Sequence, residues 1–229
     1  MNLPFSLQDD EQWKPEFLFR GFTMLLDDLT CHVSALKHGH SPHPPHRHKE
    51  EEILVMIDGE AELILPELGA AGENAPLTLG PGQFVYYPSG FLHTIRTTSP
   101  RPAHYMMFKW FSPDKGNGKT LGFGKFDIAD MAENRGEQDG FSTHLMFDGK
   151  TACLDKLHCH ASSLAPGAGY GAHTDDYDVA ILVLDGEVET MGRKVAVNEV
   201  AFFPAGEPHG MRNPGARTAR YLVIEFHQK

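Results

Sequence analysis

Basic charge is scarce in this chain. Twenty Lys and Arg stand against 31 Asp and Glu, a formal net charge of −11, and no run gathers the basic residues into a stripe. Phosphate backbones and anionic membrane surfaces both require such a stripe, so neither nucleic acid nor a membrane surface is an expected partner. Long apolar runs are missing as well. No window approaches the 18 or so consecutive apolar residues of a transmembrane helix. The opening MNLPFSLQDDEQWKP turns acidic early and has neither the basic nor the apolar region of a signal peptide. Cysteine is limited to Cys31, Cys153 and Cys159, with no CxxC, a pattern that predicts free, buried thiols in a reducing compartment, the cytoplasm by default. Helical periodicity is nearly absent: only FDIADMAENRG at 126–136 and the opening LQDDEQW offer a turn or two.

Strand signals fill the space that helix leaves. Short alternating or β-branched and aromatic runs recur along the chain (TCHVSALKH, EILVMI, AELIL, QFVYYP, HTIRTT, HYMMFKW), separated by Gly, Pro, Asp and Asn clusters. Many short strands between such turns predict an all-β sandwich or barrel. The chain also repeats itself. Cys31-His32-Val33-Ser34-Ala35-Leu36 matches Cys159-His160-Ala161-Ser162-Ser163-Leu164, and Asp58-Gly59-Glu60 matches Asp185-Gly186-Glu187. Further on, Pro88-Ser89-Gly90 through His93 matches Pro204-Ala205-Gly206 through His209, and Tyr105 matches Tyr221. Four blocks in one order indicate two copies of a strand-rich unit. The offset is 128 or 127 early and 116 later, which assigns the first copy a longer hairpin around PELGAAGENAPLTLG. The polar stretch Ser112–Lys119 is the natural joint, giving units of 1–112 and 113–229.

Histidine is abundant, with 14 in all and five (His38, His40, His43, His46, His48) inside eleven residues. Neutral imidazole is the commonest side-chain metal ligand near physiological pH. His38, His40 and His43 lie in a Pro-rich stretch and read chiefly as turn residues. His46, His48 and Glu52 share strand parity and can face one interior. Glu50 and Glu51 are neighbours of the wrong parity or spacing. A turn built on Gly82, Pro88 and Gly90 delivers His93 to the same place. Three imidazoles and one carboxylate suit Fe, Mn, Ni, Cu or Zn better than Mg or Ca, and an octahedral ion would keep two positions open.

The spacings HxHx3Ex6G, from His46 to Gly59, and Gx5PxGx2H, from Gly82 to His93, resemble the two signature motifs of the cupin superfamily. With the second copy, the chain resembles a small bicupin from about residue 16 onward. That resemblance implies two tandem jelly-roll barrels and a single divalent transition metal held by His46, His48, Glu52 and His93. The family's usual Asn, after three further residues, is replaced by Thr97. In the second copy His173 and His209 keep the outer positions, Asp175 replaces the second His, and Val179 stands in place of the Glu. Two readings stay open there: a degenerate barrel kept for packing, or a two-His-one-carboxylate site of His173, Asp175 and His209. Asp178 has the wrong parity to join it.

Inward parity carries Leu54 and Met56 on from Glu52, and Ile95 on from His93. Phe91, Tyr86 and Met106 are candidates for the barrel mouth and wall, whereas Arg47, Arg96 and Lys109 are expected to point outward. A mostly apolar pocket with one metal suits a small aromatic or carbonyl-bearing substrate. Resemblance to quercetinase-like cupins implies dioxygenase-like oxidation of a metal-chelating substrate, with Glu52 as both ligand and general base. Bicupins also include non-redox isomerases, decarboxylases and ureidoglycine aminohydrolases, and some cupins only bind a ligand. Exposed edge strands make a homodimer the expected assembly.

Overall fold

A computed structural model describes residues 6–68, 76–113, 118–129 and 140–228. In chain order the first nine strands are β1 (Trp13–Gly21), β2 (Asp28–Leu36), β3 (Glu51–Asp58), β4 (Ala61–Ile64), β5 (Thr78–Leu79), β6 (Gln83–Tyr87), β7 (Thr94–Thr97), β8 (Ala103–Phe111) and β9 (Gly124–Asp127). The next nine are β10 (Phe141–Gly149), β11 (Lys156–Leu164), β12 (Gly169–His173), β13 (Asp178–Asp185), β14 (Glu187–Thr190), β15 (Arg193–Ala196), β16 (Val200–Phe203), β17 (His209–Arg212) and β18 (Ala219–His227). All pairings are antiparallel.

The chain divides into two compact units. The first combines a sheet of order β1-β2-β8-β3-β6-β9 with a smaller one of order β5-β4-β7. The second combines β10-β11-β18-β13-β16 with β12-β17-β14-β15. The protein is thus all-β, two tandem jelly-roll barrels, as the alternating sequence requires. The division at 112/113 does not follow the sheets strictly, because β9, beyond that joint, pairs with β6 and closes the edge of the first unit's larger sheet. The start of the helical run anticipated at 126–136 is the end of β9, and 130–136 lie outside the described residues, as does part of the longer hairpin. At the opening LQDDEQW the described residues form a turn leading into β1, with no helix.

Alternation decides which side chains enter the first barrel. Leu54, Met56, Val85, Tyr87, Ile95 and Tyr105 belong to one buried cluster. On β8, the partners of the inward β3 residues are Tyr105, Met107 and Lys109, opposite Met56, Leu54 and Glu52. The same pattern builds the second core from Val179, Ile181, Val183, Tyr221 and Val223.

The two repeats share a tight corner after β3 and β13. Gly59 (φ +78°) and Gly186 (φ +71°) turn there in the left-handed region, and a Cβ on either would stand 2.9 Å from the Cα of Ala103 or Ala219. Only glycine meets both demands. All three cysteines are buried and outside any disulfide. Among the described residues no helix is long and apolar enough to cross a membrane.

Candidate metal centre

β3 starts at Glu51, and the turn before it places His46 and His48 beside β7, where the backbones of His46 and His93 exchange hydrogen bonds of 3.2 Å in both directions. His48, Glu52 and His93 thereby converge, each offering a ligand atom within 4.8 Å of the other two. Glu52 is 1 % exposed. Its Oε2 lies 3.2 Å from His48 Nε2, and its Oε1 lies 2.7 Å from His93 Nε2. His46 stands one place further out, its ring centre 5.1 Å from that of His48 and 5.4 Å from that of His93. Its Nδ1 is buried without a hydrogen bond.

The tautomers follow from the partners. His48 Nδ1 lies 2.9 Å from the Glu50 carbonyl, and His93 Nδ1 lies 2.9 Å from the Phe91 carbonyl. A carbonyl only accepts, so each Nδ1 carries the proton and donates. In the neutral rings both Nε2 atoms are then bare lone pairs aimed at a carboxylate. Glu52 Oε1 and His48 Nε2 indeed make no well-directed hydrogen bond despite their proximity. Acceptors crowded on acceptors in a buried site are costly unless a cation lies among them. This donor set, with His Nδ1–H fixed by backbone carbonyls, fits a divalent transition metal.

Burial alone would raise the Glu52 carboxyl, but in acid, where His48 and His93 are protonated and donate to it, they and the nearby charge of Lys109 outweigh burial and hold Glu52 well below the usual carboxylate range. Near neutrality the carboxylate is ionised, and a metal cation would take the place of those protons. Burial and the adjacent His43, His48 and His93 push His46 down to about 4, so it is a neutral donor near pH 7. An aromatic row keeps His93 in place: Tyr87 stacks on it at 4.0 Å and 13°, and Phe91 stacks in turn on Phe123 at 5.3 Å and 7°.

Several residues sit elsewhere than parity suggested. Lys109 faces inward, its Nζ 3.8 Å from Glu52 Oε2, because β8 presents odd-numbered positions to the interior. For the same reason Met107 lines the cavity where Met106 was expected, and on β6 it is Tyr87, paired opposite Glu52, that joins His93 where Tyr86 was expected. Arg47 and Arg96 do point outward, pairing with Glu67 and Glu62. Leu54 and Ile95 line the cavity, Met56 is deeper core, and Phe91 is half-buried against it. Glu51 points to the other face and accepts from Trp110 Nε1 at 3.0 Å. His43 enters the site, its ring 3.9 Å from that of His46, whereas His38 Nδ1 bonds the Ser99 carbonyl. The enclosed space is small, about 40 Å³.

In the second barrel His173 Nε2 and His209 Nε2 lie 3.6 and 3.2 Å from Asp175 Oδ2. Their Nδ1 atoms face the Gly171 and Glu207 carbonyls at 3.3 and 3.1 Å. Phe203 stacks on His209 at 4.7 Å, as Tyr87 does on His93. Asp178 is buried and accepts from the Ala205 amide, so it faces away. Val179, at the position of Glu52, is apolar wall. The cavity here is about 220 Å³ and also holds His160 and Glu225, which sequence reading passed over.

Comparison with known proteins agrees with this geometry. The model of the Cupin domain matches residues 32–109 and 161–225, one segment in each barrel. A dimethylsulfoniopropionate lyase of Ruegeria pomeroyi is 40% identical over 71 residues, which is 31% of this chain and 32% of that protein. The chain thus aligns with about a third of the length of that curated relative. A cupin 2 conserved barrel domain protein of Leptotrichia buccalis superposes with a TM-score of 0.66 at 14% identity, over 97% of this chain and 92% of the other. Oxalate decarboxylase of Bacillus subtilis, a protein with Mn(II) centres, gives 0.62 at 15% identity, over 88% of this chain and 69% of the other. These structural likenesses establish the fold, and the family model, matched across both repeats, establishes that the chain belongs to the cupin family.

Proposed function

We propose that the first barrel is the catalytic centre of a metal-dependent enzyme acting on a small, metal-chelating carboxylate. His46, His48, Glu52 and His93 would hold the ion, which supplies Lewis-acid polarisation of a bound oxygen. The observation that carries this reading is Lys109, a cation inside the apolar wall of Leu54, Ile95 and Met107 and 3.8 Å from Glu52. A cation there anchors the carboxylate of a small substrate bound beside the ion. Glu52 is the group placed to receive a substrate proton. The relatives named above act, by their names, on dimethylsulfoniopropionate and on oxalate, both small carboxylates. Elimination or decarboxylation is therefore favoured over the dioxygenase-like oxidation that the motifs first suggested.

Turnover of small carboxylates with dioxygen uptake measured alongside is the test. Product formed with no net dioxygen consumed supports elimination or decarboxylation, and one dioxygen consumed per turnover replaces that reading with the dioxygenase one. Lys109→Met is expected to keep the metal and raise KM on the order of 10- to 100-fold, from loss of a charge-assisted hydrogen bond. An unchanged KM would remove Lys109 from the substrate site.

A further inference from the structure

The two barrels can be compared position by position through their strand registers. In the first, β2 and β8 set Thr30 opposite Lys109, and Glu52 on β3 also faces Lys109. In the second, β11 and β18 set His158 opposite Glu225, and Val179 on β13 also faces Glu225. The carboxylate has moved one strand over, from the β3 position to the β8 position, and it meets histidines there. Thr30 becomes His158, Lys109 becomes Glu225 and Phe111 becomes His227, while His32 is repeated as His160. Three changes toward ligand types, on one face of two adjacent strands, have no counterpart in the first barrel.

Their geometry is that of a donor set. His158, His160 and Glu225 each bring a ligand atom within 4.8 Å of the others. His160 Nε2 is 3.5 Å from Glu225 Oε1, close to the roughly 3.0–3.4 Å separating donors that share an ion at about 2.1 Å. Its Nδ1 lies 3.0 Å from Ser162 Oγ and 3.2 Å from Thr143 Oγ1, hydroxyls able to accept the Nδ1 proton in the tautomer that frees Nε2 for a metal. The other oxygen of Glu225 is held by His227 Nε2 at 2.8 Å, and Tyr177 packs on the His227 ring at 3.9 Å. His158 Nδ1 is buried with no hydrogen bond, 3.6 Å from Asp148.

From this relocation we propose that His158, His160 and Glu225 form a second metal site, on β11 and β18, for a divalent transition ion such as Zn²⁺ or Co²⁺, with His227 as the positioning residue that orients Glu225. The site is built from other residues than His173, Asp175 and His209 and does not depend on the first barrel.

The test uses the full chain with the first centre disabled by His48→Ala/His93→Ala, stripped of metal and titrated with Co²⁺ by calorimetry and visible absorption. One Co²⁺ per chain is expected to remain. Glu225→Gln or His158→Gln in that background should weaken it by at least about 100-fold, and His227→Gln by about 10-fold. Asp175→Asn should leave it unchanged. A cooperative thermal transition checks folding of each variant, and His158→Gln, at a partly exposed position, serves if Glu225→Gln does not fold. No Co²⁺ in the background protein, or binding lost in Asp175→Asn but kept in Glu225→Gln, overturns the proposal.

Discussion

The two barrels have diverged in opposite directions from one plan. The first keeps the HxHx3E ligand spacing but carries Thr97 where the second carries Asn213. Thr97 Oγ1 makes one long bond of 3.4 Å to the Leu36 carbonyl. Asn213, fully buried, gives its amide to the Leu164 and Arg217 carbonyls at 2.8 Å each and accepts from the Gly215 amide at 2.9 Å. Leu36 and Leu164 are the same position in the two repeats, so both side chains tie it, and Asn213 adds two further bonds within the turn that follows. The cavities differ in the same sense, about 40 against 220 Å³. A tight cavity around a converged donor set suits selective chemistry. The wider one, with Val179 at the position of Glu52, presents a different set of donors on the same fold.

The largest effect should come from asymmetry of function. His93→Ala is expected to abolish metal binding in the first barrel and lower turnover on the order of 1,000-fold. His209→Ala, at the matching position, should leave turnover within about twofold. Steady-state kinetics on both variants checks this, and an equal loss in His209→Ala would make the second barrel catalytic. Next comes the shared corner. Gly59→Ala and Gly186→Ala should each cost about 2–4 kcal/mol, from a left-handed backbone plus a Cβ against neighbouring backbone. Denaturant unfolding measures it, and loss confined to one variant would show that the corners are not equivalent. Asn213→Ala should cost about 1–3 kcal/mol by orphaning two carbonyls, while Thr97→Ala should cost less than about 1 kcal/mol.

The narrowest effect, confined to acid, concerns Glu225. Burial would raise the Glu225 carboxyl, but His160 and His227 bring it down to about 2. Its folded value lies below its unfolded one, so its contribution is present above about pH 4.5 and fades as pH falls toward 2. Glu225→Gln should therefore flatten the stability curve in that window and leave the curve's shape near neutrality unchanged. An unaltered acid limb would show that the histidines do not stabilise the ionised form.

Much of this was legible from residues alone. Repeated blocks gave two all-β units, and the spacing from His46 to Gly59 and from Gly82 to His93 singled out four side chains, three of which the backbone brings together while His46 stands just outside. What escaped depended on pairing across long separations. Lys109 looked outward because its parity was counted without the register that sets it against Glu52. The same one-residue phase error chose Tyr86 and Met106 over Tyr87 and Met107. His158 and Glu225 are 67 positions apart and meet only because β11 pairs with β18. A signal for them existed, since aligning the two copies shows Thr30 and Lys109 replaced by a histidine and a glutamate. The aromatic row escaped too, because Phe123 belongs to a segment that rejoins the first sheet after the joint.

The most direct measurement is the metal content of the anaerobically purified, untagged protein beside His46→Ala/His48→Ala. The double variant is expected to fold and to contain one transition-metal ion per chain fewer than the wild type. Equal metal content in the two, or none in either, would contradict the first barrel as a metal centre.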